Sequence, residues 1–147
     1  MSILNLQASY FSIANPVQML ERSFNGFLHN QDVRINQREV DVCWTDRAEA
    51  ALRASDRPLI VELQLYFSCV VKKRVLFHRS AEFDTTIVND KLELAFRPIG
   101  SAVCDPREFA LNHPAGTDLS QGVALRMVPR RVEIDFRRGA WTGQFYY

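Results

Sequence analysis

The chain has 147 residues, 47% hydrophobic and 24% charged, which are the values of one globular domain able to build a core without metal or disulfide staples. Such a composition excludes intrinsic disorder, and the longest apolar runs fall well short of a membrane span. The formal charge of +1 hides an asymmetry: residues 1–71 carry 6 Lys and Arg against 8 Asp and Glu, whereas residues 72–147 carry 12 against 9, which favours an acidic or anionic partner for the second half.

In chain order, residues 3–12 alternate loosely and predict a first strand. A long amphipathic helix is predicted over Pro16 to His29: Asn15 can cap it, Pro16 occupies the first helical position, and Gln18 can reach back to the cap. Val17, Leu20, Phe24, Phe27 and Leu28 share one face, so this helix should lie on a sheet. Asp32 to Trp44 reads as extended, with a change of phase that requires a turn or bulge around Asn36 to Arg38. Thr45 offers a cap to a short helix from Asp46 to about Ala54, supported by Glu49 and Arg53 four residues apart.

Leu59 to Arg79 is the strongest β signal. Leu59, Val61, Leu63, Leu65 and Phe67 fall on one side, and Ile60, Glu62, Gln64, Tyr66 and Ser68 on the other, the pattern of a half-buried strand. The alternation resumes with Val71, Val75 and Phe77 opposite Lys72, Arg74 and His78, which predicts either a second strand joined to the first near residues 68–71 or one long strand bent there. Lys91 to Arg97 alternates again and should be ended by Pro98 and Gly100. Residues 104–122 form the least regular stretch and the natural place for a functional loop. Val132, Ile134 and Phe136 predict a strand with Arg131, Glu133, Asp135 and Arg137 on its other face, and Trp141 to Tyr147 can return beside it.

Helices early and strands late predict a single α+β domain over 1–147: a largely antiparallel sheet of about six or seven strands, one long amphipathic helix covering a face, and one or two short helices.

The chemistry is sparse. Eight residues intervene between Cys69 and His78 and between Cys104 and His113, too many for a chelating pair, so no metal site and no cofactor is expected. Cys43, Cys69 and Cys104 read as reduced thiols of a cytoplasmic protein. Nucleophilic catalysis by Cys104 with His113 as base is physically possible, with Asp105 or Asp118 orienting the ring, but no nucleophile motif surrounds them. The glycines form neither a dinucleotide nor a phosphate-loop fingerprint.

The basic and aromatic residues of the second half say more. Arg130, Arg131, Arg137 and Arg138 gather near Trp141 and Tyr146, a composition enriched where protein surfaces dock. The expected function is therefore a non-enzymatic interaction module, self-associating or binding another protein through these strands. Lys72, Lys73, Arg74 and Arg79 offer a second reading, single-stranded nucleic-acid binding, in which charge follows the backbone and rings stack on bases. A small enzyme or ligand binder built on the 104–122 loop is a third.

Overall fold

Two-residue turns organise the first and last hairpins. Asn36 and Gln37 (φ 47° and 68°) and Arg138 and Gly139 (φ 51° and 76°) occupy the left-handed region, the geometry whose twist matches that of the strands on either side. In the computed structural model, which describes residues 26–68, 71–100, 117–119 and 122–147, these turns join β1 (His29–Ile35) to β2 (Arg38–Trp44) and β8 (Arg131–Arg137) to β9 (Ala140–Tyr146). Between them lie α1 (Asp46–Ala54), β3 (Leu59–Phe67), β4 (Val71–His78), β5 (Thr86–Asn89), β6 (Leu92–Gly100), the two-residue β7 (Thr117–Asp118) and a 3-10 turn (Val123–Arg126).

The strands form two four-stranded sheets, ordered β1-β2-β8-β9 and β4-β3-β6-β5, with β7 added to β6. Each sheet is two hairpins joined by a parallel inner pair, β2 with β8 in one and β3 with β6 in the other. The sheets pack face to face, with β1 beside β5 at one seam and β9 beside β4 at the other. Val40, Val42, Val132, Ile134 and Phe145 from the first sheet meet Val61, Leu63, Leu65, Leu92 and Leu94 from the second, all buried in one core. Period-two alternation explains the division, most plainly in the first sheet, where inward side chains are largely apolar and outward ones largely polar.

This corrects the expected α+β fold. The protein is mostly β, the single sheet is replaced by a two-sheet sandwich, and the inner pairs are parallel. Among the described residues α1 is the one α-helix, and the core is closed by the opposing sheet rather than by a long amphipathic helix. Most of the Pro16 to His29 helix and all of the 3–12 strand lie outside the described residues. Where the description begins, residues 26–28 are neither helix nor strand and His29 opens β1.

Two further differences concern single strands. β6 does not stop before Pro98 but runs through it to Gly100, because it stays in register with β3 to its end and the Pro98 carbonyl accepts from Leu119 N at 2.9 Å. β3 is buried on both faces rather than one: Ile60, Glu62, Gln64 and Tyr66, which point away from the core, are all under one-tenth exposed. The short helix forms as its punctuation implies, with the Thr45 hydroxyl accepting from Ala48 N at 3.2 Å and Glu49 bonded to Arg53 at 2.7 Å.

Candidate functional site

The polar, buried outer face of β3 is where ionisable groups converge. Strand register sets them in rows across the sheet: His78 beside Ile60 and Glu93, Leu76 beside Glu62 and Ala95, Arg74 beside Gln64 and Arg97, and Lys72 beside Tyr66 and Ile99. Glu62 is only 2% exposed, and an unpaired carboxylate there would cost several kcal/mol in lost hydration. Three donors offset that cost. His78 Nε2 lies 2.7 Å from Oε2, while Gln64 Nε2 and Arg97 Nη1 donate to Oε1 at 2.6 and 3.1 Å. Arg97 also reaches Asp118 Oδ2 at 3.4 Å, and its guanidinium covers the Phe83 ring at 4.7 Å. The Phe83 ring in turn meets His78 edge-on at 5.9 Å.

This network leaves two buried polar atoms over. Gln64 is oriented by its bond to the carboxylate, since only the amide nitrogen can donate to Glu62, and its Oε1 then has no donor. Arg97 Nε likewise has no acceptor among the described residues. Arg74, on the other side of Gln64, makes no ion pair with a described residue.

A carboxylate paired with histidine is half of a hydrolytic constellation, but no hydroxyl or thiol of a described residue is bonded to His78. Among the described residues no group of three His, Cys, Asp or Glu could hold a metal ion. The arrangement can bind and orient charge.

The residues singled out from sequence are dispersed. Trp141 points inward, packed on Phe136 at 4.8 Å and Phe77 at 6.3 Å. Tyr146 points outward, its hydroxyl 2.6 Å from Gln144 Oε1 and 3.1 Å from Glu133 Oε2. Arg131 is spent on Asp41 at 2.7 Å and Glu133 at 3.1 Å. Arg137 shares that outer face, whereas Arg130 and Arg138 are exposed, the latter at the hairpin tip. Trp141 is therefore parted from Arg131, Arg137 and Tyr146, which share the outer face.

The other basic group divides three ways. Lys72 and Arg74 join the outer face with Arg97, and burial lowers the Lys72 pKa. Lys73 faces the opposite side, where its Nζ donates to the Phe145 carbonyl at 3.2 Å and sits over the Phe145 and Tyr147 rings at 5.4 and 5.1 Å, with burial lowering its pKa. Arg79 is exposed and donates to the Arg57 carbonyl at 3.1 Å. Cys104 and His113 lie outside the described residues, and Asp118 serves as a partner of Arg97.

Sequence reasoning missed Glu62, Gln64, His78 and Arg97 as a cluster. A signal was present in the mixed face of β3, where Glu and Gln alternate with Ile and Tyr inside the most apolar strand of the chain.

One end of the sandwich carries several exposed apolar side chains. Here β3, β6 and β9 finish and β4 and β8 begin, because Phe67 pairs with Val71 and Gly100, and Arg131 with Tyr146. Val71 is 45% exposed and Tyr147 51%, although Tyr147 is desolvated enough for burial to push its phenol up to about 12. The 3-10 turn belongs to the same end through Asn36 Nδ2, which donates to the Leu125 carbonyl at 3.1 Å, and it adds exposed Val123 and Met127. No helix among the described residues is long and apolar enough to cross a membrane. Compared with protein-family models, with curated proteins and with solved structures, the chain gives no match.

Proposed function

We propose that this protein is a non-enzymatic interaction module that self-associates through the apolar end of the sandwich. The observation that supports it is that Val71, Val123, Met127 and Tyr147, all exposed, belong to elements that meet at one end of the sandwich. Exposed apolar side chains scattered singly need no explanation, whereas a group of them at one pole marks a docking site. A tyrosine beside a lysine suits the centre of such a site, since the ring supplies area at low entropic cost and Lys73 holds it from behind. A two-fold pairing would bury the pole of each copy against the other. The docking residues thus lie at the end of β8 and β9 rather than on their faces, because Trp141 packs against the core. The cytosol is the proposed compartment, supported by the free, buried thiol of Cys43.

The test is sedimentation velocity over a range of concentrations on the parent chain and on a Val71→Ser, Tyr147→Ser double variant. A dimeric mass in the parent and a monomeric mass in the variant carry the proposal. A parent chain that stays monomeric at every concentration rules it out.

A further inference from the structure

We propose that Arg74, Gln64 and Arg97 form a subsite for a phosphate group that carries its own hydroxyl, meaning inorganic phosphate or a phosphate monoester. Three unmet valences on one row of the sheet point to it. Gln64 Oε1 is a buried acceptor that lacks a donor, Arg97 Nε is a buried donor that lacks an acceptor, and Arg74 is a cation that lacks an anion among the described residues. Adjacent strands are about 4.8 Å apart, so the two arginine Cα atoms flank Gln64 across about 10 Å, a span that two guanidinium groups can close on one phosphate.

The chemistry of the row selects the ligand. A guanidinium on each side calls for a tetrahedral or planar oxyanion, and the amide oxygen between them calls for a donor on the same ligand. Hydrogen phosphate and phosphate monoesters supply both, because they keep an O–H over part of the neutral range. Sulfate has the charge and shape without the proton, and a nucleic-acid phosphodiester has no O–H at all. Among the described residues Glu62 and Asp118 are the carboxylates that pair with Arg97, so the approach is from the Arg74 side, where the row is only partly buried. Lys72, one row along, adds a second basic group on that side.

Isothermal titration of the full chain tests this with inorganic phosphate, sulfate, a phosphoserine peptide and oligothymidylate, on the parent, Arg74→Gln and Arg74→Lys. Arg138→Gln, at the exposed hairpin tip of the other sheet, controls for bulk charge. The expected result is phosphate binding about tenfold tighter than sulfate, weakened about tenfold by Arg74→Gln, partly restored by Arg74→Lys and unmoved by Arg138→Gln. A phosphoserine peptide binding much more tightly than phosphate identifies a phosphoprotein as the source, and equal binding identifies a free phosphate compound. Equal affinity for sulfate and phosphate removes the role of Gln64 and overturns the proposal, as does indifference to Arg74→Gln. Absence of any phosphate heat means that a bridging water alone satisfies Arg97 Nε and Gln64 Oε1, and tight salt-sensitive binding of oligothymidylate replaces the monoester with nucleic acid.

Discussion

A β-carbon on Gly143 would lie 3.0 Å from Val75 Cγ1, 3.2 Å from Phe77 Cζ and 3.4 Å from the Glu133 carbonyl, so the close approach of β9 to β4 depends on a residue with no side chain. Gly143→Ala should cost about 1–3 kcal/mol by overpacking this seam, and Gly143→Val more. Urea unfolding measures it, and a Val75→Ala change should recover part of the loss in the Gly143→Ala background but not in the parent. Cys43 makes a second residue-scale case. Its thiol is 2% exposed, donates to Asp41 Oδ1 at 3.2 Å and is pushed up to about 12, chiefly by burial with the Asp41 bond adding to it. Maleimide at pH 8 should leave the Cys43 peptide unmodified in the native protein and label it once denaturant is added, as peptide mass mapping would reveal. The sign of its pH effect follows from linkage: the folded pKa lies above the ordinary value of 9.0, so its contribution is complete below that value and is lost as pH rises toward 12. Cys43→Ala should therefore flatten the alkaline limb of the stability profile. Tyr147 acts in the same direction at higher pH, so some slope should persist.

At the scale of elements, α1 is secured less by its own helix propensity than by Asp135 on β8. Asp135 Oδ1 accepts from the Thr45 hydroxyl at 2.5 Å and from the Phe136 backbone at 2.8 Å, while Oδ2 takes Arg47 at 2.7 Å. One carboxylate thus ties the helix cap, the first helical turn and a strand together. Thr45→Val should cost about 1–2 kcal/mol through loss of the cap. Asp135→Ala should cost about 2–3 kcal/mol because it strands Arg47 as well, and the double variant should lose less than the sum. Thermal unfolding of the three variants measures each value, and strict additivity would mean that cap and carboxylate act separately. The legible elements were those with local punctuation: α1 by Thr45 and the Glu49–Arg53 pair, β8 by strict alternation, the β1–β2 turn by a phase change. The sequence understates β1 because Asn30 and Gln31 carry no β signal, and it understates β6 beyond Pro98 because pairing with β3 is not a local property. The Glu62 cluster stayed hidden for the same reason. His78 and Arg97 reach Glu62 from 16 and 35 residues away, and only strand register brings them together.

For the whole molecule, the decisive facts were nonlocal. Parallel pairing of β2 with β8 joins residues 41–44 to 131–134, and no periodicity in either segment announces it. The early-helix, late-strand order suggested one sheet with a helical cover, whereas the chain uses its crossover through α1 to pass from one sheet to the other. Inner strands are hydrogen-bonded on both sides and covered by the opposing sheet, so native-state hydrogen exchange should be slowest in β2, β3, β6 and β8 and faster in β1, β4, β5 and β9. Equal protection in edge and inner strands would contradict this hierarchy.

The β2–β8 pairing also sets a timetable for biosynthesis. β3 to β6 are contiguous from 59 to 100 and can pair soon after they leave the ribosome, but β2 must wait for a partner made about ninety residues later. Until then Val42 and Trp44 have a hairpin and no inner neighbour, and the nascent chain carries an open apolar edge that holdase chaperones recognise. Ribosome-bound chains stalled before β8 should accordingly recruit such chaperones, and chains long enough to expose β9 should release them.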